Sequence, residues 1–267
     1  MSSQDVDITF LVIAGIAVML LLVVSFLVMT IVNQRKKSQL QKSMSRLKEQ
    51  QQNQLIEAAV RSEEVERHRI AELLHDEVGA LLSSSRIFLV EINTKALNEA
   101  DQQDHAKVKD LIDESIKKVR SISHNLHSAI LKEFGLNEAV RHFMKTIIGG
   151  TTVNNTVEMD DNYMLSNPET DLAIYRIVQE LVNNTLKYGH PEFIRVQSWL
   201  KNDNLKVTLQ HNGNGLSQQE FEELRFKTDG LGLKNIQNRI ILLKGNIFFE
   251  KKTNNDCSVR IEIPIQL

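Results

Sequence analysis

Apolar positions along the chain fall into distinct regimes. From Ile8 to Val32 they form a run with no charged residue. As a helix this run spans about 37 Å at about 1.5 Å per residue, enough to cross a bilayer with some tilt. From Asn33 to Glu66 the chain is polar and charged, without glycine or proline. That stretch predicts a continuous helix with only a weak heptad pattern. From Ile70 apolar residues return at three- and four-residue steps: Ile70, Leu73, Leu74, Val78, Leu81 and Phe88. The same spacing runs from Val108 through Leu111, Ile112, Val119, Ile122 and Leu126 to Ile130. Each series is one helix face, and the polar stretch from Asn93 to Asp104 predicts the turn between them. A lone hairpin cannot cover its own apolar stripe, so the pattern predicts a four-helix bundle made by two chains.

After Gly149-Gly150 the pattern changes. Alternating segments at Phe193–Leu200, Leu205–Gln210, Ile247–Glu250 and Val259–Ile265 predict strands. Asp171–Tyr188 and Leu233–Leu243 predict helices between them. The mixture predicts an α/β sandwich behind an α-helical front.

Charge gives the apolar run a direction. Asp5 and Asp7 precede it, and Arg35, Lys36, Lys37, Lys42, Arg46 and Lys48 follow it. The basic side of a spanning helix stays in the cytoplasm, which places the C-terminal body there and residues 1–7 outside. A cleaved signal peptide needs a basic start, a shorter core and a small-residue cleavage site, and this segment has none of these. The expected location is therefore a cell membrane, crossed once. The formal net charge of -2 lacks the basic excess of a nucleic-acid binder. A single cysteine, Cys257, excludes an internal disulfide and a cysteine-rich metal site.

Three segments carry candidate chemistry. The first is Glu66-Arg67-His68-Arg69-Ile70-Ala71-Glu72-Leu73-Leu74-His75-Asp76-Glu77-Val78-Gly79. His75 stands one step, about 100°, from the apolar position Leu74, which puts its ring at the border of the buried face and within reach of solvent. The Asp76 carboxylate can accept the proton of one ring nitrogen and leave the other free to attack phosphorus. The remaining histidines, His124 and His127 included, lack the further ligands a metal site needs.

The second segment is Arg176-Ile177-Val178-Gln179-Glu180-Leu181-Val182-Asn183-Asn184-Thr185-Leu186-Lys187-Tyr188-Gly189. Glu180, Asn184 and Lys187 share one helix face, and an acid, an amide and a base so aligned suit a magnesium triphosphate. The same residues also fit an amphipathic helix with ordinary polar contacts. The third is a pair of glycine clusters. Asn212-Gly213-Asn214-Gly215 follows a strand, and Gly230-Leu231-Gly232-Leu233 precedes a helix. Such clusters allow close backbone approach and offer a helix N-terminus to phosphate. Residues 216–229 between them are the expected mobile lid.

The first segment resembles the H-box of sensor histidine kinases, in the subfamily with Asp directly after the phosphoacceptor. Leu131-Lys132-Glu133-Phe134-Gly135-Leu136-Asn137-Glu138-Ala139 is similar to that subfamily's junction between hairpin and ATPase domain. The other two segments resemble the N, G1 and G2 boxes of the Bergerat-type ATPase fold, an antiparallel-rich sheet covered on one face by helices. The resemblance runs from about Val60 to Leu267. It implies autophosphorylation of His75 by ATP and transfer to an Asp of a response regulator, usually one with a helix-turn-helix output domain. It further implies Asn184 as magnesium ligand, Glu180 as the residue orienting its shell or a proton, and Lys187 on phosphate. His211, Asn212, Gly213, Gly215, Gly230, Gly232 and Leu233 fall at the remaining nucleotide positions.

Two departures stand out. The family often places Gln five residues after the histidine for dephosphorylating the partner; Ala80 stands here. The family's G1 box opens with an Asp that binds the adenine amino group; His211 stands here. Either His211 or Asn212 supplies the acceptor, or the chain is a pseudokinase scaffold that heterodimerises with an active kinase. With His211 as the acceptor, ATP affinity is expected to weaken as pH falls through about 6.5. The implied layout is 1–7 external, 8–32 transmembrane, 33–65 linker helix, 66–135 dimerising phosphotransfer hairpin and 136–267 ATPase domain. Expected partners are a second copy, a response regulator, the lipid bilayer and a membrane sensory protein, with no nucleic acid bound directly.

Overall fold

Alternation of buried and exposed side chains lays down the sheet. The computed structural model describes residues 3–94, 98–126, 129–163, 167–224, 231–252 and 256–265. The strands are β1 (Asn154–Glu158), β2 (Phe193–Lys201), β3 (Asn204–His211), β4 (Asn246–Lys251) and β5 (Cys257–Pro264). They pair in the order β1-β2-β3-β5-β4. The β1–β2 pair is parallel and the others are antiparallel. Ile194 and Val196 of β2, Leu205, Val207 and Leu209 of β3, and Val259, Ile261 and Ile263 of β5 all face the core. The alternate positions carry polar and charged side chains, with Lys206 paired to Glu262 at 2.9 Å and Arg260 to Glu262 at 3.4 Å. One face of the sheet is therefore apolar and covered, and the other is solvated.

The helices are α1 (Ser3–Leu73), α2 (Gly79–Glu91), α3 (Glu99–Leu126), α4 (Ala129–Ile148), α5 (Pro168–Asn184), α6 (Gln218–Leu224) and α7 (Leu231–Leu242). Two of them pass directly into π-helical turns, at Leu74–Val78 after α1 and at Thr185–Gly189 after α5. The chain divides into two units, Met1–Leu55 and Ile56–Leu267. Within the first, α1 carries the one helix among the described residues that is long and apolar enough to cross a membrane.

In the second unit, α4 and α5 pack together with α7 over the apolar face of the sheet. Ile174, Ile177, Val178 and Val182 of α5 meet Phe143 and Met144 of α4, all at most 2% exposed. Burying each such side chain contributes about 1.5–3 kcal/mol. Helix α5 starts cleanly because the Asn167 side chain accepts the Glu169 N–H at 2.9 Å and Pro168 occupies the first turn. Helix α4 breaks at Gly135, with φ 77° and ψ 180°. That conformation suits only glycine, and it turns the chain from the hairpin toward the sheet.

The hairpin consists of the end of α1, its π turn and α2, packed on α3. The Ser123 hydroxyl donates to the Ala71 carbonyl at 3.0 Å, and Arg86 pairs with Asp113 at 2.6 Å. Leu81, Phe88, Leu111 and Ile122 remain more than half exposed. The polar turn contains the α3 start: the Asn98 side chain accepts the Asp101 N–H at 2.9 Å. Three elements escape the sequence pattern: helix α4 beyond Ile130, the polar strand β1 and the short helix α6. Helix α6 falls within the segment expected as a lid. Residues 218–224 form α6, pinned by Phe221, which stacks on Phe249 at 4.5 Å and is 1% exposed. Residues 225–229 of that segment lie outside the described residues, as do His127 and Gly230.

Candidate active site

His75 sits in the π turn Leu74–Val78, between α1 and α2. A π turn adds a residue to the helical ladder and re-aims the side chains around it. The His75 side chain is 75% exposed, and its Nδ1 lies 2.8 Å from the Asp76 carboxylate. With the proton of Nδ1 held by Asp76, Nε2 carries the lone pair and faces outward.

The second half of the site is a cavity of about 640 Å³ between α5, α7 and the strand ends. That volume suits a drug-sized ligand. Glu180, Asn184, Lys187, His211, Gly215, Gly232 and Leu233 all line it. The elements place them there in a few steps. Glu180 and Asn184 lie one turn apart on α5, and the Asn184 amide donates to Glu180 Oε1 at 3.2 Å. This bond leaves the carbonyl oxygen Oδ1 as the atom Asn184 can offer a cation. Lys187 follows on the second π turn, its ammonium 4.9 Å from the Tyr188 ring centroid. The bond to the Tyr188 hydroxyl raises its pKa. A Cβ at Gly232, on the first turn of α7, would collide with the Glu180 carboxylate. A side chain at this position could be admitted only if the Glu180 carboxylate swung away from its present place.

Two predicted residues stand elsewhere. Gly213 packs against the backbone of Gly189 and does not line the cavity. Asn212 is committed to the neighbouring turn: its Oδ1 accepts the N–H groups of Glu192 and Phe193 at 2.8 and 3.2 Å, and its Nδ2 donates to Glu192 at 3.1 Å. It has no acceptor left for a base. His211 is 3% exposed, and its Nδ1 accepts the Gly213 N–H at 3.2 Å. Burial pushes its pKa down. Its hydrogen-bond role thus differs from the expected acceptor, because the acceptor nitrogen is already taken.

Sequence reasoning missed Thr185, Tyr188, Leu216 and Phe249 in the cavity wall, and also Cys257. Cys257 is buried on β5, its thiol is raised in pKa by burial, and it donates to the Gly213 carbonyl at 3.6 Å. The alternation of β5 predicts its inward orientation; nothing local marks it as cavity lining.

Residues 169–267 match the family described as "Histidine kinase-, DNA gyrase B-, and HSP90-like ATPase", and residues 66–131 match one described as "Histidine kinase". The chain belongs to the histidine kinases. The second match includes His75 and the first includes every residue of the cavity wall. This histidine kinase is 24% identical over 219 residues to the oxygen sensor histidine kinase NreB of Staphylococcus carnosus, covering 80% of the chain and 60% of the relative. It is 25% identical over 210 residues to the signal transduction histidine-protein kinase/phosphatase DegS of Brevibacillus brevis, covering 77% of the chain and 53% of the relative. It thus spans little more than half the length of these relatives. Among solved structures, the histidine kinase domain of the blue-light activated kinase from Erythrobacter litoralis superposes with a TM-score of 0.45 at 14% identity, covering 70% of this chain and 94% of that one.

Proposed function

We propose that this chain is a membrane-anchored sensor kinase that phosphorylates His75 from ATP and passes the phosphoryl group to an Asp of a response regulator of the helix-turn-helix type. The observation that carries this reading is the pairing of an exposed imidazole, oriented by Asp76, with a cavity lined by Glu180, Asn184 and Lys187 in the same compact unit. ATP binding follows from the ATPase family match. Asp76 holds the Nδ1 proton, so Nε2 attacks the γ-phosphorus while the bond to the departing ADP oxygen breaks. Lys187 neutralises charge on the phosphates, and catalysis is chiefly positioning.

Magnesium suits the donor set. Among the described residues no group of three or more His, Cys, Asp or Glu forms a metal cage. One amide oxygen from Asn184, with phosphate oxygens and waters, matches the habit of this ion. Glu180 keeps the Asn184 amide turned for that role. Bound there, magnesium would neutralise the phosphate oxygens.

The exposed apolar residues of the hairpin support a homodimer closed as a four-helix bundle, since Leu81, Phe88 and Leu111 otherwise face water. The apolar run of α1 supports an anchor across residues 8–32, with 1–7 outside and the body cytoplasmic. Residues 33–65 then link the anchor to the hairpin at 66–135 and the ATPase domain at 136–267. A membrane sensory protein is a further partner on this reading.

Labelled ATP tests the proposal on the full chain in detergent. Acid-labile label on the wild type and none on His75→Ala is the expected result. ATP binding without label on the wild type would leave the scaffold reading in its place.

A further inference from the structure

The two helices that wall the larger cavity are joined a second time, by a residue of neither. Helix α5 brings Glu180 and Asn184 to that cavity, and one turn before Glu180 it carries Arg176. Helix α7 brings Gly232 and Leu233, and two turns later it carries Arg239. Both guanidinium groups converge on the carboxylate of Glu64 in α1. Its Oε1 accepts Arg176 Nε at 2.9 Å and Arg239 Nη2 at 3.0 Å, and its Oε2 accepts Arg176 Nη2 at 2.9 Å. Both arginine side chains are 4% exposed and that of Glu64 is 19% exposed, so these charge-assisted bonds form largely out of water. Glu63, the preceding residue, reaches only one of the two helices: it accepts from Arg239 at 3.0 Å and from Arg67 of its own helix at 2.9 Å.

A smaller cavity of about 200 Å³ lies beside this bridge, lined by Glu63, Arg176 and Arg239, and Glu180 lines both cavities. Packing is incomplete at this level, so the spacing of α5 and α7 depends on the carboxylate as well as on apolar contacts. Further along the same helices Gly232 stands close against the Glu180 carboxylate. A change in the spacing of α5 and α7 therefore reaches residues of the larger cavity directly. Resting on the reading of that cavity as the nucleotide site, we propose that Glu64 is a positioning residue for nucleotide binding, whose single carboxylate sets α7 against α5. The end of the linker helix is thus a structural part of the ATP site, although it touches no nucleotide.

Equilibrium binding of magnesium-ATP to the full chain in detergent, beside labelling rates over a range of ATP concentrations, tests this. Glu64→Gln keeps the size of the side chain and loses the charge that holds both guanidinium groups. Its affinity for ATP is expected to fall by about fivefold or more, the lower end of coupling between separate sites. The loss is expected in the ATP concentration for half-maximal labelling and not in the rate at saturation. Glu63→Gln removes a neighbouring charge from the same cluster without cutting the bridge, and is expected to lose less affinity than Glu64→Gln. A loss in Glu63→Gln as large as that in Glu64→Gln overturns the inference, because a cluster that only stabilises the fold would make the two alike. A Glu64→Gln affinity within about fivefold of wild type overturns it as well, as does a loss confined to the rate at saturating ATP. Should Glu64→Gln not fold, Glu64→Asp decides by the same threshold, since it keeps the charge and shortens its reach. Wild type that binds no ATP overturns the nucleotide reading of the cavity, and this inference with it.

Discussion

Arg176 on α5 grips Glu64 on α1, 112 residues earlier, through three hydrogen bonds of 2.9 to 3.1 Å. Arg239 on α7 adds bonds of 3.0 Å to both Glu63 and Glu64. Arg176 also donates to the Leu126 carbonyl at 2.8 Å and to Gln179 at 2.8 Å. Both arginine side chains are 4% exposed. Burial opposes the ionisation of Glu63, yet Arg239 and Arg67 outweigh it and hold its carboxyl below the usual range. The ATPase domain is thus tied to the end of the linker helix by a charge cluster about 16 Å, or 11 residues of helix, before His75.

Breaking this cluster from one side leaves charge buried and unpaired. Arg176→Ala is expected to destabilise the second unit by about 3–5 kcal/mol, as other one-sided losses of buried ion pairs do. Denaturant unfolding measures the loss. The double replacement Arg176→Met with Glu64→Met is expected to recover most of it, since well-packed apolar side chains substitute for a buried pair. A double variant no better than Arg176→Ala would mean that the carbonyl bonds, and not the ion pair, carry the tie.

The contact between His75 and Asp76 makes a separate prediction about rate. Asp76→Asn keeps the shape but lets the amide donate toward Nδ1, which favours the wrong tautomer. Autophosphorylation is expected to fall about a hundredfold or more, within the usual range for loss of a proton acceptor. Affinity for ATP is expected to stay within about twofold, because Asp76 lies outside the cavity wall. Single-turnover labelling beside equilibrium ATP binding separates the two.

The sequence makes some of these elements legible and hides others for physical reasons. Strands β2 to β5 largely alternate, so periodicity finds them to within two residues. Strand β1 reads Asn-Asn-Thr-Val-Glu and buries only Val157 in part, so an edge strand of this kind gives no alternating signal. Helix α6 has seven residues, too few for a helical period. The π turns that carry His75 and Lys187 leave the three- and four-residue spacing almost intact, so each looks like ordinary helix. The resemblance of the boxes brings Glu180, Asn184 and Gly232 to one place before any coordinates do. What it cannot supply is polarity: that Nδ1 of His211 is spent on Gly213, and that Asn212 is spent on Glu192, depend on a turn no linear pattern specifies. The tie between Arg176 and Glu64 is equally silent, since two charged residues 112 positions apart share no local pattern.

Asp171 gives a prediction in pH. It is 1% exposed, accepts the Tyr163 hydroxyl at 2.6 Å, and has no hydrogen-bond partner for Oδ2. Burial raises its pKa, against the lowering effect of Tyr163. A carboxyl whose folded pKa lies above its unfolded value is most favourable to folding while protonated. Its contribution is therefore full below the unfolded value near 3.8 and is lost as pH rises through the folded value. Asp171→Asn removes that dependence. Its melting temperature relative to wild type is expected to climb from pH 4 toward neutrality and then level off. A difference that falls over this range would show that the ionised form is the one the fold prefers.

Gly232 tests whether the approach of α7 to α5 serves the site or only the packing. A Cβ at this position meets the Glu180 carboxylate, and the Asn184 amide nitrogen lies 3.5 Å away. The obstructing atom is the free end of a flexible side chain, so Gly232→Ala can be accommodated by swinging Glu180 aside. The fold is then expected to survive, with a melting temperature close to that of wild type. The cost falls on the hydrogen bond between Glu180 and Asn184. Without it the Asn184 amide loses its orientation, and autophosphorylation is expected to drop at least tenfold. The double variant Gly232→Ala with Glu180→Ala removes the collision. Its ATP affinity should match that of Glu180→Ala alone, so the two changes are non-additive in a double-mutant cycle. Strict additivity would mean that the alanine methyl obstructs the nucleotide directly, and the close approach of the helices would then be a matter of cavity shape.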